Sequence, residues 1–168
     1  MFYINLMTRE YLLRTIADPN RRLPEVRLEY AGRSVDQDMY IALSSDRQIG
    51  TMKLGSVNSR DAFVVQGSGV DERLKGHGYG LAMYLGAAAL AYELGYRLKS
   101  DSMVSRDAAR LWGRLARCGL ARVLTPFRWR EREQYSQGGY ALFVPPEELS
   151  LPDPVRRMED NADIWQNM

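Results

Sequence analysis

The stretch Val70-Asp71-Glu72-Arg73-Leu74-Lys75-Gly76-His77-Gly78-Tyr79-Gly80 carries the strongest chemical signal in the chain. It follows a strand-like run, Ala62 to Gln66, and precedes an apolar-periodic, helix-like segment from Leu81 to Leu94. A strand, a glycine-rich turn and a helix in that order leave several backbone N–H groups free at a helix N-terminus. Those donors and the helix dipole favour a phosphate. The glycines accept φ > 0 and let a ligand approach the backbone closely. Spacing excludes two common phosphate loops. No G-x-x-x-x-G-K-[ST] string occurs, and Gly76, Gly78 and Gly80 run G-x-G-x-G rather than G-x-G-x-x-G, outside a βαβ unit. The stretch reads as the pyrophosphate seat of a nucleotide-like cofactor.

Other reactive residue types are sparse. His77, the only histidine, lies inside the turn and reads as a loop or phosphate-adjacent residue rather than a base. Cys118 stands near a helix end with no histidine in sequence reach, so it reads as a small buried hydrophobe. No group of His, Cys, Asp or Glu has metal-ligand spacing, and no metal is expected. Phe127-Arg128-Trp129-Arg130, continued by Arg132 and Tyr135, interleaves basic and aromatic residues. Such a segment can stack on and pair with single-stranded nucleic acid. Alternation explains it as well, with Phe127 and Trp129 facing a core and Glu131 and Glu133 diluting the charge. It is therefore read as a sheet strand or cleft wall. Arg106, Arg110, Arg114 and Arg117 mark one basic side of a helix, read as a solvated face.

The elements that must position the turn follow from periodicity. Phe2 to Met7 reads as a short strand, and Thr8 caps a helix that stops at Asp18-Pro19. Val26 to Tyr30 alternates as a half-buried strand does. Met39 to Leu43, Ile49 to Leu54 and Ala62 to Gln66 are strands joined by turn-forming clusters, which predicts an antiparallel meander. Leu81, Tyr84, Leu85, Ala88, Ala91 and Tyr92 recur at helical steps, and Gly95 ends that helix. Tyr96 to Ser100 is a strand. Ser105 caps a second helix through Ala108, Leu111, Trp112 and Leu115 to Gly119, and strands follow at Leu120 to Leu124 and Tyr140 to Val144. The fold class is α/β, a mixed and mainly antiparallel sheet with helices on its faces.

Length and composition fit this scheme. A chain of 168 residues, 45% hydrophobic and 26% charged, forms one domain with a real core. The domain is placed at residues 1–146. Residues 147–168 read as a C-terminal tail that docks through Val155, Met158, Ile164 and Trp165. A net charge of +2 is too weak on its own to argue for nucleic acid, which is not the expected partner. One cysteine, no membrane-spanning run and no signal-like N-terminus predict a cytoplasmic protein.

The glycine turn resembles the acetyl-coenzyme A signature of the GNAT superfamily of N-acetyltransferases, V-x-[PD]-x-x-[RQ]-x-x-G-x-[GA]. Val70 opens it, Lys75 takes the basic position, and Gly78 and Gly80 fill the glycine positions. The likeness covers about residues 39 to 144 in the order of elements. The first 38 residues match less well, with one helix where the family has two, so a reduced N-terminal helical region is expected. The resemblance implies acetyl-CoA as co-substrate. Its pyrophosphate would lie on backbone N–H groups of Lys75, Gly76, His77, Gly78, Tyr79 and Gly80, and its pantetheine arm beside Gly69 and Val70. A splayed strand pair would carry the thioester to the sheet centre.

The same resemblance implies direct acetyl transfer to an amine of a small molecule or a protein. In the family a carboxylate near the strand before the turn takes the amine proton, and a helix tyrosine meets the departing thiolate. Here Ala62 to Gln66 has no carboxylate, leaving Asp61, Asp71 or Glu72 at its fringes, and Trp112 stands in the tyrosine position. Tyr135 and Tyr140 are the replacement donors. The alternative is a catalytically weak or inactive protein on the same scaffold that binds a macromolecular partner. Phe127, Trp129 and Trp165 are available for a homodimer contact.

Overall fold

A computed structural model describes residues 2–3, 27–33, 39–44, 47–55, 62–145 and 148. Their strands are β1 (Phe2–Tyr3), β2 (Arg27–Arg33), β3 (Met39–Ser44), β4 (Gln48–Gly55), β5 (Ala62–Val70), β6 (Arg97–Ser100), β7 (Ala121–Thr125) and β8 (Tyr140–Phe143). They form one sheet in the order β1-β2-β3-β4-β5-β6-β8-β7. From β1 to β5 each strand pairs antiparallel with its neighbour in sequence, which is the expected meander. Only β5 and β6 are parallel. Parallel neighbours need a crossover, and the helix α1 (Tyr79–Glu93) supplies it. After the second helix, α2 (Arg106–Arg117), β8 enters between β6 and β7 and runs antiparallel to both. The fold is the mixed, mainly antiparallel α/β sheet read from the sequence.

Local chemistry sets the helix ends. Gly95 takes φ 81° and Gly119 takes φ 72°, each just past a helix. Behind them Tyr96 N–H reaches Ala91 O at 2.8 Å, and Leu120 N–H reaches Leu115 O at 2.9 Å. These are paired left-handed caps that satisfy the last carbonyls. At the start of α2 the Ser105 hydroxyl accepts from Ala108 N–H at 3.2 Å, as the sequence predicts.

The core forms around α1, which is buried continuously from Leu81 to Ala91. A helix apolar on every side belongs inside. Ala82, Ala87, Ala88, Ala89 and Ala91 let it lie close to its neighbours. By contrast α2 is two-sided. Trp112 and Leu115 are fully buried while Arg106, Arg110, Arg114 and Arg117 face water. The Trp112 ring stands edge-on to Tyr84 of α1 and to Phe143 of β8, with centroids 5.5 Å away in each case.

Two features differ from expectation. First, β5 continues four residues beyond Gln66, through Gly67 and Gly69 to Val70. Its register with β4 carries it there, from Gly55↔Val64 to Gly50↔Val70. A side chain at Gly50 would bring its Cβ to 2.8 Å from the Gly69 carbonyl oxygen, so the two backbones approach too closely for anything but glycine. Second, residues 126–139 form a loop with isolated bridges at Ser105↔Tyr135 and Arg128↔Gln137, so of the two readings of Phe127 to Tyr135, sheet strand or cleft wall, the sheet strand is not formed. The alternation is present all the same. Phe127 packs on the core, Trp129 is half-buried, and Arg128 and Arg130 are exposed. Pro126 lacks an N–H to donate to a ladder, and Gly139 admits no Cβ beside the Phe127 ring. The helix expected from Thr8 and the docking of the tail lie outside the described residues; Glu148 alone is placed, 3.3 Å from Arg122.

Candidate cofactor and active site

The sheet opens next to the glycine turn. β5 pairs with β6 only from Ala62↔Arg97 to Val65↔Ser100, where β6 ends. Beyond that point β5 stays on β4 along one edge, while Gln66-Gly67-Ser68-Gly69-Val70 has no described strand along the other. The parallel pairing therefore stops with the end of β6, and leaves a backbone edge of β5 that pairs with no described strand.

Val70 then enters the turn directly. Asp71 N–H donates to Ile49 O at 2.7 Å, which ties the turn to β4. The Asp71 carboxylate accepts from Arg73 N–H at 3.0 Å and caps one 3-10 turn, Glu72–Leu74. Gly76 and Gly78 follow with φ 82° and 89°, and Gly78 is the N-cap of α1. Having no side chain, Gly78 cannot satisfy the helix donors. Among the described residues no backbone N–H from Gly76 to Leu81 has an acceptor. A Cβ added at Gly76 or Gly80 would meet nothing within 4 Å. Free donors, a helix N-terminus and open space above it constitute an anion seat, and these residues fit a pyrophosphate.

Three charged side chains of the turn, Asp71, Glu72 and Lys75, are engaged in ion pairs. Lys75 Nζ lies 2.7 Å from Glu72 and 3.8 Å from Asp107, which links the turn to the first turn of α2. Its hydrogen bond to Glu72, then the Glu72 and Asp107 charges, hold its ammonium pKa above the usual lysine value. Asp71 also meets Arg47 at 3.5 Å. His77 is exposed within the turn, and Tyr79 is half-buried against the core. Asp71 and Glu72 are therefore bound within the turn, and Asp61 lies outside the described residues.

One contact at the open edge was not anticipated. The Tyr84 hydroxyl lies 3.0 Å from the Ser68 hydroxyl, joining α1 to the unpaired half of β5. In the sequence Tyr84 counted only as an apolar-face residue. Its phenol was nonetheless a signal, since a buried tyrosine needs a partner. Burial pushes the Tyr84 pKa above 10, and the Ser68 bond offsets part of that rise. The unfolded chain therefore ionises this group first, and stability falls as pH rises past about 10. Below that the group is protonated in both states and contributes no slope. Tyr84→Phe is expected to flatten the loss above about pH 10 and to cost about 1 kcal/mol at pH 7 through the lost hydrogen bond. Urea unfolding of both proteins across that range tests it.

Of the two tyrosines proposed as proton donors, Tyr140 neighbours the residue bonded to the end of β6 and Tyr135 lies beside the start of α2. Tyr140 is half-buried at the start of β8, with Lys99 Nζ 5.9 Å from its ring centre. Its neighbour Ala141 donates from its N–H to the Ser100 hydroxyl at 2.9 Å, at the end of β6. Tyr135 bridges to Ser105 at the N-cap of α2 and is 53% exposed. Between them Ser136, fully buried, donates to Ser102 O at 3.1 Å and accepts from Val104 N–H at 3.0 Å, pinning this loop to the one before α2. Trp112 has no exposed surface and belongs to the core. Among the described residues no His, Cys, Asp and Glu group could hold a metal ion, and no helix is long and apolar enough to cross a membrane.

No protein-family model matches the chain, and no curated protein matches it. Solved structures that resemble it include proteins named as acetyltransferases. An IAA acetyltransferase from Bacillus cereus ATCC 14579 is 15% identical over 62% of this chain and 75% of its own, with a TM-score of 0.48. A Bacillus anthracis str. Ames protein named as a streptothricin acetyltransferase, solved in complex with acetyl coenzyme A, is 12% identical over 72% of this chain and 91% of its own, with a TM-score of 0.44. A Bacteroides thetaiotaomicron protein named as an acetyltransferase of the GNAT family is 11% identical over 79% of this chain and 80% of its own, with a TM-score of 0.43.

Proposed function

We propose that this protein is an acetyl-CoA-dependent N-acetyltransferase of GNAT type that transfers acetyl directly to an amine of a small molecule or protein. One observation carries the reading. The edge of β5 at Gln66 to Val70, on which no described strand pairs, leads through one closed 3-10 turn to the N–H groups of Gly76 to Leu81, which have no acceptor among the described residues. A long ligand with a pyrophosphate at one end and amide groups along an arm needs that succession of donors and acceptors. Bound acetyl-CoA would supply an acyl thioester already activated for attack. Gly69 and Val70 would hold its arm by backbone bonds, and Lys75, Gly76, His77, Gly78, Tyr79 and Gly80 would seat the phosphates. Tyr140, half-buried beside the end of β6, is better enclosed for donating a proton to the departing sulfur than Tyr135. The single cysteine, Cys118, suits a cytoplasmic setting.

A second reading, a catalytically weak protein on this scaffold, is favoured by the engagement of Asp71 and Glu72 within the turn. Calorimetric titration with acetyl-CoA, paired with thiol release against a panel of amines, separates the two. Micromolar binding with thiol release on at least one amine is expected. Binding without turnover on any amine supports the second reading, and no binding removes both the co-substrate and the reaction. Lys75→Ala is expected to weaken binding less than about tenfold, because an exposed ammonium shared with two carboxylates is a modest point charge. The same titration measures it.

A further inference from the structure

The two stretches left without a role, the arginine side of α2 and the basic-aromatic segment after Pro126, meet in one groove. Arg106, Arg110, Arg114, Arg117 and Trp129 line it around the small residues Ala109 and Gly113, enclosing about 470 Å³. Steps of three and four residues keep the arginines on one side of the helix, each about 6 Å beyond the last. Arg110 is paired with Asp107 at 3.1 Å. Arg106, Arg114 and Arg117 meet no carboxylate among the described residues. The Arg106 guanidinium lies over the Trp129 indole, 5.0 Å from its centroid.

Two further observations point outward from this groove. A Cβ at Gly113 would meet only Arg117 Nη1, at an ordinary 3.8 Å. Packing does not require a glycine there, yet in mid-helix it is less stable than alanine; its absent side chain leaves room between the arginines. Charge is also concentrated locally. Residues 105–139 hold eight arginines, no lysine and three carboxylates, whereas the whole chain nets only +2. The small total charge conceals a strongly basic segment.

We propose that this groove binds single-stranded nucleic acid. Guanidinium forks pair with phosphates in two-bonded geometry, and guanidinium planes and aromatic rings provide stacking surfaces for bases. An acidic peptide would satisfy the arginines but would leave Trp129 and the exposed Tyr135 ring, next to Ser105, without a role. The proposal does not rest on the acetyl-CoA reading: neither the free N–H groups of the turn nor the open edge of β5 takes part, and of the two candidate proton donors only Tyr135 is shared.

Fluorescence anisotropy of a labelled twenty-nucleotide oligothymidylate with the full chain tests it. Saturable binding is expected at 50 mM salt. With three phosphates engaged, affinity falls about 20-fold between 50 and 200 mM. The double variant Arg114→Ala/Arg117→Ala is expected to bind at least about tenfold more weakly at 50 mM, with a log–log salt slope shallower by about 1.4. Circular dichroism melting establishes that the variant is folded. Tyr135→Ala is expected to lose several-fold in affinity. Absence of binding at 50 mM salt overturns the proposal, as does binding unchanged in the double variant. Displacement by a polyglutamate peptide at lower concentration than by unlabelled oligothymidylate also overturns it, in favour of an acidic protein segment.

Discussion

Replacing Gly80 by valine is expected to abolish acetyl-CoA binding and leave the fold intact. A Cβ at this position meets nothing within 4 Å of the protein, and Gly80 needs no positive φ. Valine is also a slightly better helix residue than glycine, so the first turn of α1 loses nothing. The added side chain instead occupies the space over the free N–H groups between Gly76 and Leu81. A pyrophosphate seated there needs direct contact with those donors, and a branched side chain prevents it. The affinity loss should exceed about 100-fold, the scale of several charge-assisted hydrogen bonds lost together. Gly78→Asp should have a similar effect by adding a carboxylate to the anion seat. It is the less clean probe, because Gly78 sits at φ 89° and any other residue is strained by about 1–2 kcal/mol. Calorimetric titration beside a thermal melt decides the matter. Gly80→Val binding acetyl-CoA within threefold of the parent would place the phosphate elsewhere.

How much of this was legible in the sequence depends on the range of the interaction. The helix ends were readable because Ser105, Gly95 and Gly119 act on their own neighbours. The meander was readable because short links between strands leave few other arrangements. The last four residues of β5 were not. Gly67 and Gly69 have poor strand propensity, and only pairing with β4 holds them extended. The open edge is likewise a fact of register, set by β6 ending at Ser100 while β5 continues. The turn could be matched to a cofactor by spacing, whereas the tie between Tyr84 and Ser68 spans a helix and a strand and leaves no periodic trace. The arginine groove shows the same limit. Each stripe alone read as a solvated or packed face, and only the fold of residues 126–139 beside α2 brings Trp129 onto Arg106.

Trp112→Ala is expected to be the most destabilising single change, costing about 3–5 kcal/mol by urea unfolding. The side chain has no exposed surface and packs edge-on against Tyr84 and Phe143, so truncation leaves a cavity where three elements meet. That loss is a large share of the roughly 5–15 kcal/mol a domain of this size holds in reserve. Trp112→Tyr separates packing from chemistry, because it restores the residue type that the GNAT resemblance expects at this position. If the position were catalytic, the tyrosine would raise acetyl transfer. Instead the phenol would enter an apolar site between Tyr84 and Phe143, and an unsatisfied buried hydroxyl costs about 1–3 kcal/mol. Reduced stability without increased thiol release is therefore expected, and a gain in turnover would overturn the assignment of Trp112 to the core. The same contact couples the core to the site. Trp112 supports the Tyr84 ring, Tyr84 holds Ser68, and Ser68 lies on the unpaired edge of β5. A Trp112→Ala chain that still folds should bind acetyl-CoA more weakly than its parent, although residue 112 lies in the core and not on the proposed cofactor path.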